Sequence, residues 1–134
     1  MKYRKLKGYK YELLKKEEVT TPIRGISIST PFICLARTGR LYVYPHYAWD
    51  GPSGPTIDTP SFMRGSLIHD ALYQLMRENL LDHKYRGIAD ELLRQICIED
   101  GMPTWRARYV YWGVKYFAGP FVKDVDKRGK VIEI

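Results

Sequence analysis

Residues 61–78 read SFMRGSLIHDALYQLMRE, and their periodicity decides the class of fold. Ile68, Leu72 and Leu75 recur at i, i+4 and i+7, the spacing of one helical face. Thr59-Pro60 just upstream offers an N-cap and a first-turn proline. A helix over 61–78 is expected. A second follows over 84–99, with Tyr85, Ile88, Leu92 and Ile96 as its apolar stripe and Gly101 placed as its C′ residue. A third opens near Pro103 and ends before Gly119-Pro120. Its sequence, TWRARYVYWGVKYF, is apolar nearly all round, which assigns it either to a core against a sheet or to a lipid or protein interface.

Upstream of the first helix the period changes. Residues 9–14, 23–28, 31–36 and 41–44 are short β-rich runs separated by turn chemistry, and Thr38-Gly39-Arg40 is a good hairpin turn. Between strands and helices lies WDGPSGPTIDTP, residues 49–60, whose glycines and prolines exclude a regular helix or a central strand. The charged tail, 122–134, has room for one edge strand. The expected fold is α+β: antiparallel strands and hairpins, then a three-helix core. A single domain is expected over 1–134, divided into a β-rich part (1–48), the Gly/Pro loop (49–60), the helices (61–118) and the tail (119–134).

The 134 residues suffice for a core without staples, and the 45% apolar and 28% charged composition is that of a globular protein. No run approaches the ~20 apolar residues that span a bilayer, so an integral membrane protein is not expected. The basic start, MKYRKLKGYKYELLKK, lacks the apolar core and cleavage site of a secretory signal. Cys34 and Cys97 suit a reduced interior better than a disulfide framework. The net charge of +7 favours anionic partners, whether nucleic acid, anionic lipid or an acidic protein. Nothing reads as a nucleic-acid motif, so nucleic acid is the least expected of the three.

The chemistry-bearing residues lie in HDALY, residues 69–73. With Ile68 at zero, His69, Tyr73 and Asp70 project at about 100°, 140° and 200°, on one flank of the helix. Asp90 falls beside Leu93 and Cys97 at the border of the second helix's stripe, able to face the first helix. A histidine held by a carboxylate is oriented as a general base, and Asp90 is the candidate holder with Tyr73 bonded to it. Equally, Arg86 and Arg94 at i−4 and i+4 can pair with Asp90 on an exposed face. Asp70 points away from the His69 ring and can bind a hard cation, and the loop around Asp50, Gly51 and Gly54 can lend that cation carbonyl oxygens. Asp50 and Asp58 are also ordinary turn residues. His46 and His83 lack metal-ligand spacing and are expected in loops or on the surface.

The stretch WDGPSGPTIDTPSFMRGSLIHDALYQL, with ADELL and the WRARYVYWGVKYF helix, resembles a phage and prophage family of unknown function, the domain numbered thirteen fifty-three. HDALY, its preceding glycine loop and the following aspartate resemble the core of the secretory-type phospholipases A₂. That second resemblance implies a histidine that activates water, His69, a calcium ligand, Asp70, and an orienting pair, Asp90 and Tyr73. It places Gly51 and Gly54 in the calcium-loop region. Pro52 and Pro55 depart from it by removing two loop N–H donors. The implied activity is phage-encoded, Ca²⁺-assisted hydrolysis of phospholipid esters in entry or lysis, in the host cytoplasm or on the virion. Two other readings stay open: a non-enzymatic virion or interaction protein that binds a virion partner, and a cell-wall hydrolase.

Overall fold

The computed structural model describes residues 1–6, 11–49 and 60–115. These fall into two compact units, one of strands and one of helices. In the first, β1 (Tyr3–Lys5), β2 (Tyr11–Leu13) and β7 (Ala48–Trp49) form an antiparallel sheet in the order β1-β2-β7. A second antiparallel sheet has the order β3-β6-β5-β4, from β3 (Glu17–Thr20), β4 (Ile28–Ser29), β5 (Ile33–Leu35) and β6 (Arg40–Val43). Alternation fixes the register: Ile33 and Leu35 on β5 and Leu41 and Val43 on β6 are all buried, and Ile33 lies opposite Val43 and Leu35 opposite Leu41.

The β5–β6 hairpin turns at Gly39 as expected. Its φ is +94°, and a Cβ there would come within 2.3 Å of the Thr21 carbonyl oxygen, so only glycine fits. Thr21 closes the corner, donating from its N–H and its hydroxyl to Gly39 O, both at 2.8 Å. The run 23–28 is mostly not a strand. Pro22 removes a ladder donor and Gly25 takes φ +78°, leaving only Ile28 to enter β4. β1, β3 and β7 were not anticipated, because TyrArgLys and GluGluValThr are too polar to stand out and Ala48–Trp49 is only two residues long. The tail strand lies outside the described residues.

In the second unit, α1 (Pro60–Arg77) matches the expected helix within one residue at each end. Proline at its first position and Asn79 at φ +61° beyond its last turn delimit it, with the N–H groups of Leu80 and Leu81 donating to Leu75 O. A 3₁₀ turn, His83–Tyr85, is capped by the Asp82 carboxylate on Lys84 N–H and leads into α2 (Arg86–Glu99). Gly101, at φ +101°, ends α2 as expected.

The buried side of α2 differs from the expected stripe. Leu92 and Ile96 are buried, but Ala89, Asp90, Leu93 and Cys97 are buried with them, while Tyr85 and Ile88 are only half-buried. The buried face is therefore turned by about 70° from the stripe that apolarity alone suggests. The cause is that α2 packs against both α1 and α3 (Thr104–Gly113). Leu93 and Cys97 join Phe62 of α1 with Met102, Ala107 and Val110 in one cluster. That rotation carries Asp90 inside.

Gly65 permits the close approach of α1 to α2. A Cβ there would sit 2.9 Å from both Cys97 Sγ and Leu93 Cδ1 and 3.3 Å from Leu93 O. Burial at this contact pushes the Cys97 thiol up to about 12, so it behaves as a small apolar residue. Both cysteines are free thiols. Gly87, by contrast, has open space where its Cβ would be. Gly65→Val is accordingly expected to cost about 1–3 kcal/mol through overpacking. Gly87→Ala should add up to about 1 kcal/mol from helix propensity. Urea midpoints of the two variants, moving in opposite directions, check the contact.

Candidate active site

His69 and Tyr73 on the polar flank of α1 are buried, and they meet the polar residue that the rotation of α2 turns inward. Asp90 Oδ1 accepts two hydrogen bonds, from His69 Nε2 at 2.7 Å and from Tyr73 Oη at 2.5 Å. The His69 and Tyr73 rings, one helical turn apart, lie against each other with centroids 4.1 Å apart and planes tilted by 37°. A carboxylate can only accept, so the proton on His69 faces Asp90 from Nε2 and the basic lone pair of the neutral ring is on Nδ1. Burial, then the hydrogen bond and negative charge of Asp90, push the Tyr73 phenol far above its ordinary range, opposed by Arg86. Tyr73 is thus a fixed donor at any physiological pH.

The other nitrogen of the imidazole lies on the Asp70 side. His69 Nδ1 is 4.0 Å from Asp70 Oδ1, a gap that a single water can bridge with ordinary hydrogen bonds. Side-chain exposure rises along the row, from 2% at Asp90 through 6% at His69 to 34% at Asp70. The arrangement is therefore polarised: a buried carboxylate orients the ring through Nε2, and the ring's other nitrogen lies on the side of the more exposed Asp70.

Arg86 extends the row in the other direction. Its Nε is 3.9 Å from Asp90 Oδ2, and its Nη2 donates to Lys115 O at 2.5 Å, just beyond the end of α3. The i−4 spacing signalled this proximity, but as an exposed pair. The exposed-face account of Asp90 is corrected on burial, since the carboxylate lies inside and its nearest donors are on α1. Arg94, the other expected partner, pairs with Glu91.

Of the expected metal ligands, Asp70 is the one that lies among the described residues. Asp70 offers a hard carboxylate oxygen of the type calcium takes, and calcium needs about six to eight such donors. The other expected ligands, Asp50, Gly51 and Gly54, lie outside the described residues, as does Asp58. Among the described residues no group of three or more His, Cys, Asp or Glu side chains is placed to hold a metal. His46 is exposed and its Nδ1 lies 2.8 Å from Glu12 Oε2, while His83 Nε2 donates to Met76 O at 2.7 Å, so each has a local structural role. No described helix is long and apolar enough to cross a membrane.

If Asp90 is the shared acceptor of two buried donors, removing it must leave both unsatisfied. Asp90→Ala is expected to cost about 3 kcal/mol and Tyr73→Phe about 1–1.5 kcal/mol. The double variant should cost clearly less than their sum. Urea denaturation of the four proteins measures this. Effects within about 0.5 kcal/mol of zero would instead describe a solvated surface aspartate.

No protein-family model, curated protein or solved structure matches this chain.

Proposed function

We propose that this protein is a hydrolase of carboxylic esters, with phospholipids as its substrate class, using His69 as general base. The observation that carries the reading is the His69–Asp90 contact at 2.7 Å, sealed by Tyr73, with Nδ1 turned toward Asp70. It is supported by the likeness of HDALY and the following aspartate to the phospholipase A₂ core, and of the wider stretch to the phage and prophage family described above. A phage role in entry or lysis follows from the same likeness.

In this mechanism a water bridging Nδ1 and the Asp70 carboxylate is the nucleophile. His69 takes its proton as the oxygen attacks the ester carbonyl. The Asp90 carboxylate stabilises the imidazolium that forms, and Tyr73 keeps Asp90 from rotating away. The proton on Nδ1 then passes to the departing alkoxide. Asp70, with oxygens from Asp50, Gly51 and Gly54, would hold Ca²⁺, whose charge when bound would offset that of the ester oxyanion.

The test is fatty-acid release from mixed phospholipid vesicles with millimolar Ca²⁺ or with chelator, for wild type, His69→Gln and Asp70→Asn, each confirmed folded by circular dichroism. Loss of the base should lower the rate at least about 100-fold. Asp70→Asn should match the chelated wild type. Absence of release by wild type in both conditions would remove the esterase reading. Peptidoglycan cleavage that needs His69 would then favour a cell-wall substrate, and inactivity on both would favour a binding protein.

A further inference from the structure

Helix α3 packs inside out. Its inward residues are small: Ala107 and Val110 are buried in the α1/α2 cluster and Val114 packs against it. Its largest apolar side chains point away. Trp105 is 73% exposed, Tyr109 59% and Trp112 44%. At 100° per residue these three fall within about 60° of one another, opposite the buried line. A helix selected only for its own core would bury the rings, since they carry the greatest apolar area. Three large exposed rings on one stripe mark an interaction face.

The chemistry of the stripe selects its occupant. Residues 104–115 contain Arg106, Arg108 and Lys115 and no acidic residue. Arg108 and Lys115 flank the aromatic stripe on one side, and the Lys115 ammonium lies 5.3 Å from the Trp112 ring centroid. The exposed rings are tryptophan and tyrosine, whose amphipathic character suits the headgroup layer of a bilayer. A short helix with such rings flanked by cations lies in the plane of an anionic membrane.

We propose that the Trp105–Tyr109–Trp112 face of α3, with Arg108 and Lys115, is a docking surface for anionic phospholipid bilayers. The choice of a bilayer deepens the esterase reading and rests in part on it. The link to the site is direct: Arg86, beside Asp90, donates to the Lys115 carbonyl at the end of this helix. Docking through α3 would hold that end of the protein at the lipid surface.

The test is co-sedimentation of the full chain with vesicles of phosphatidylcholine alone or mixed with phosphatidylglycerol, with chelator present so that hydrolysis plays no part. Wild type is compared with Trp105→Ala/Tyr109→Ala and with Arg108→Glu. All are exposed positions, and thermal melts confirm folding. Wild type should bind the anionic vesicles, with tryptophan emission shifted to the blue, and each variant should bind at least about tenfold more weakly. Failure of wild type to bind, or equal binding by the variants, overturns the proposal. Wild-type self-association that the aromatic double variant abolishes, without vesicle binding, assigns the face to a second copy and overturns it as well. Hydrolysis of a soluble short-chain ester separates the two readings. Ester turnover without vesicle binding sinks the docking surface alone, and vesicle binding without turnover sinks the esterase alone.

Discussion

A carboxylate taken out of water must be compensated by donors, and the helical unit is organised around one such carboxylate. Asp90 is almost wholly buried, and Oδ1 receives one bond from a histidine and one from a tyrosine on the neighbouring helix. Either donor alone would leave the charge poorly met. Together they fix three side chains, and the ring orientation that follows leaves Nδ1 as the basic atom. The proposed chemistry depends on that orientation.

The contact exists because two helices approach closely and one is rotated. Gly65 removes the side chain that would hold α1 away from Leu93 and Cys97. α2, packed against both α1 and α3, turns its polar Asp90 inward along with its apolar neighbours. A buried polar cluster in an apolar helix pair costs stability unless it is fully bonded, and Tyr73, one turn along the same face as His69, supplies the second bond to Asp90. The same packing sends the small residues of α3 inward and its rings outward, so core economy and an outward aromatic surface come from one helix.

Much of this was legible in the sequence. Periodicity located α1 within a residue, Gly39 and Gly101 marked their turns, and angular counting brought His69, Tyr73 and Asp90 to facing flanks. The rotation of α2 was not legible, because the 100° rule sees one apolar stripe and not two packing partners. For that reason the i−4 spacing suggests Arg86 as a surface partner of Asp90 and does not reveal its bond to the Lys115 carbonyl. The short strands escaped because Tyr3–Lys5 and Glu17–Thr20 are held by pairing partners distant in sequence, not by their own apolarity. The third helix was expected to be apolar all round. The sequence could not say which of its apolar residues face inward, since that depends on the space α2 leaves.

The most direct measurement is the tautomer of His69, read from the two ring nitrogens by ¹⁵N-correlated NMR of histidine-labelled protein at a pH where the ring is neutral. The expected result is a protonated Nε2, shifted by its bond to Asp90, and an unprotonated Nδ1 able to take a proton from water. A protonated Nδ1 with a bare Nε2 would contradict it, because the lone pair would then face a carboxylate and the ring would have no base to offer a substrate.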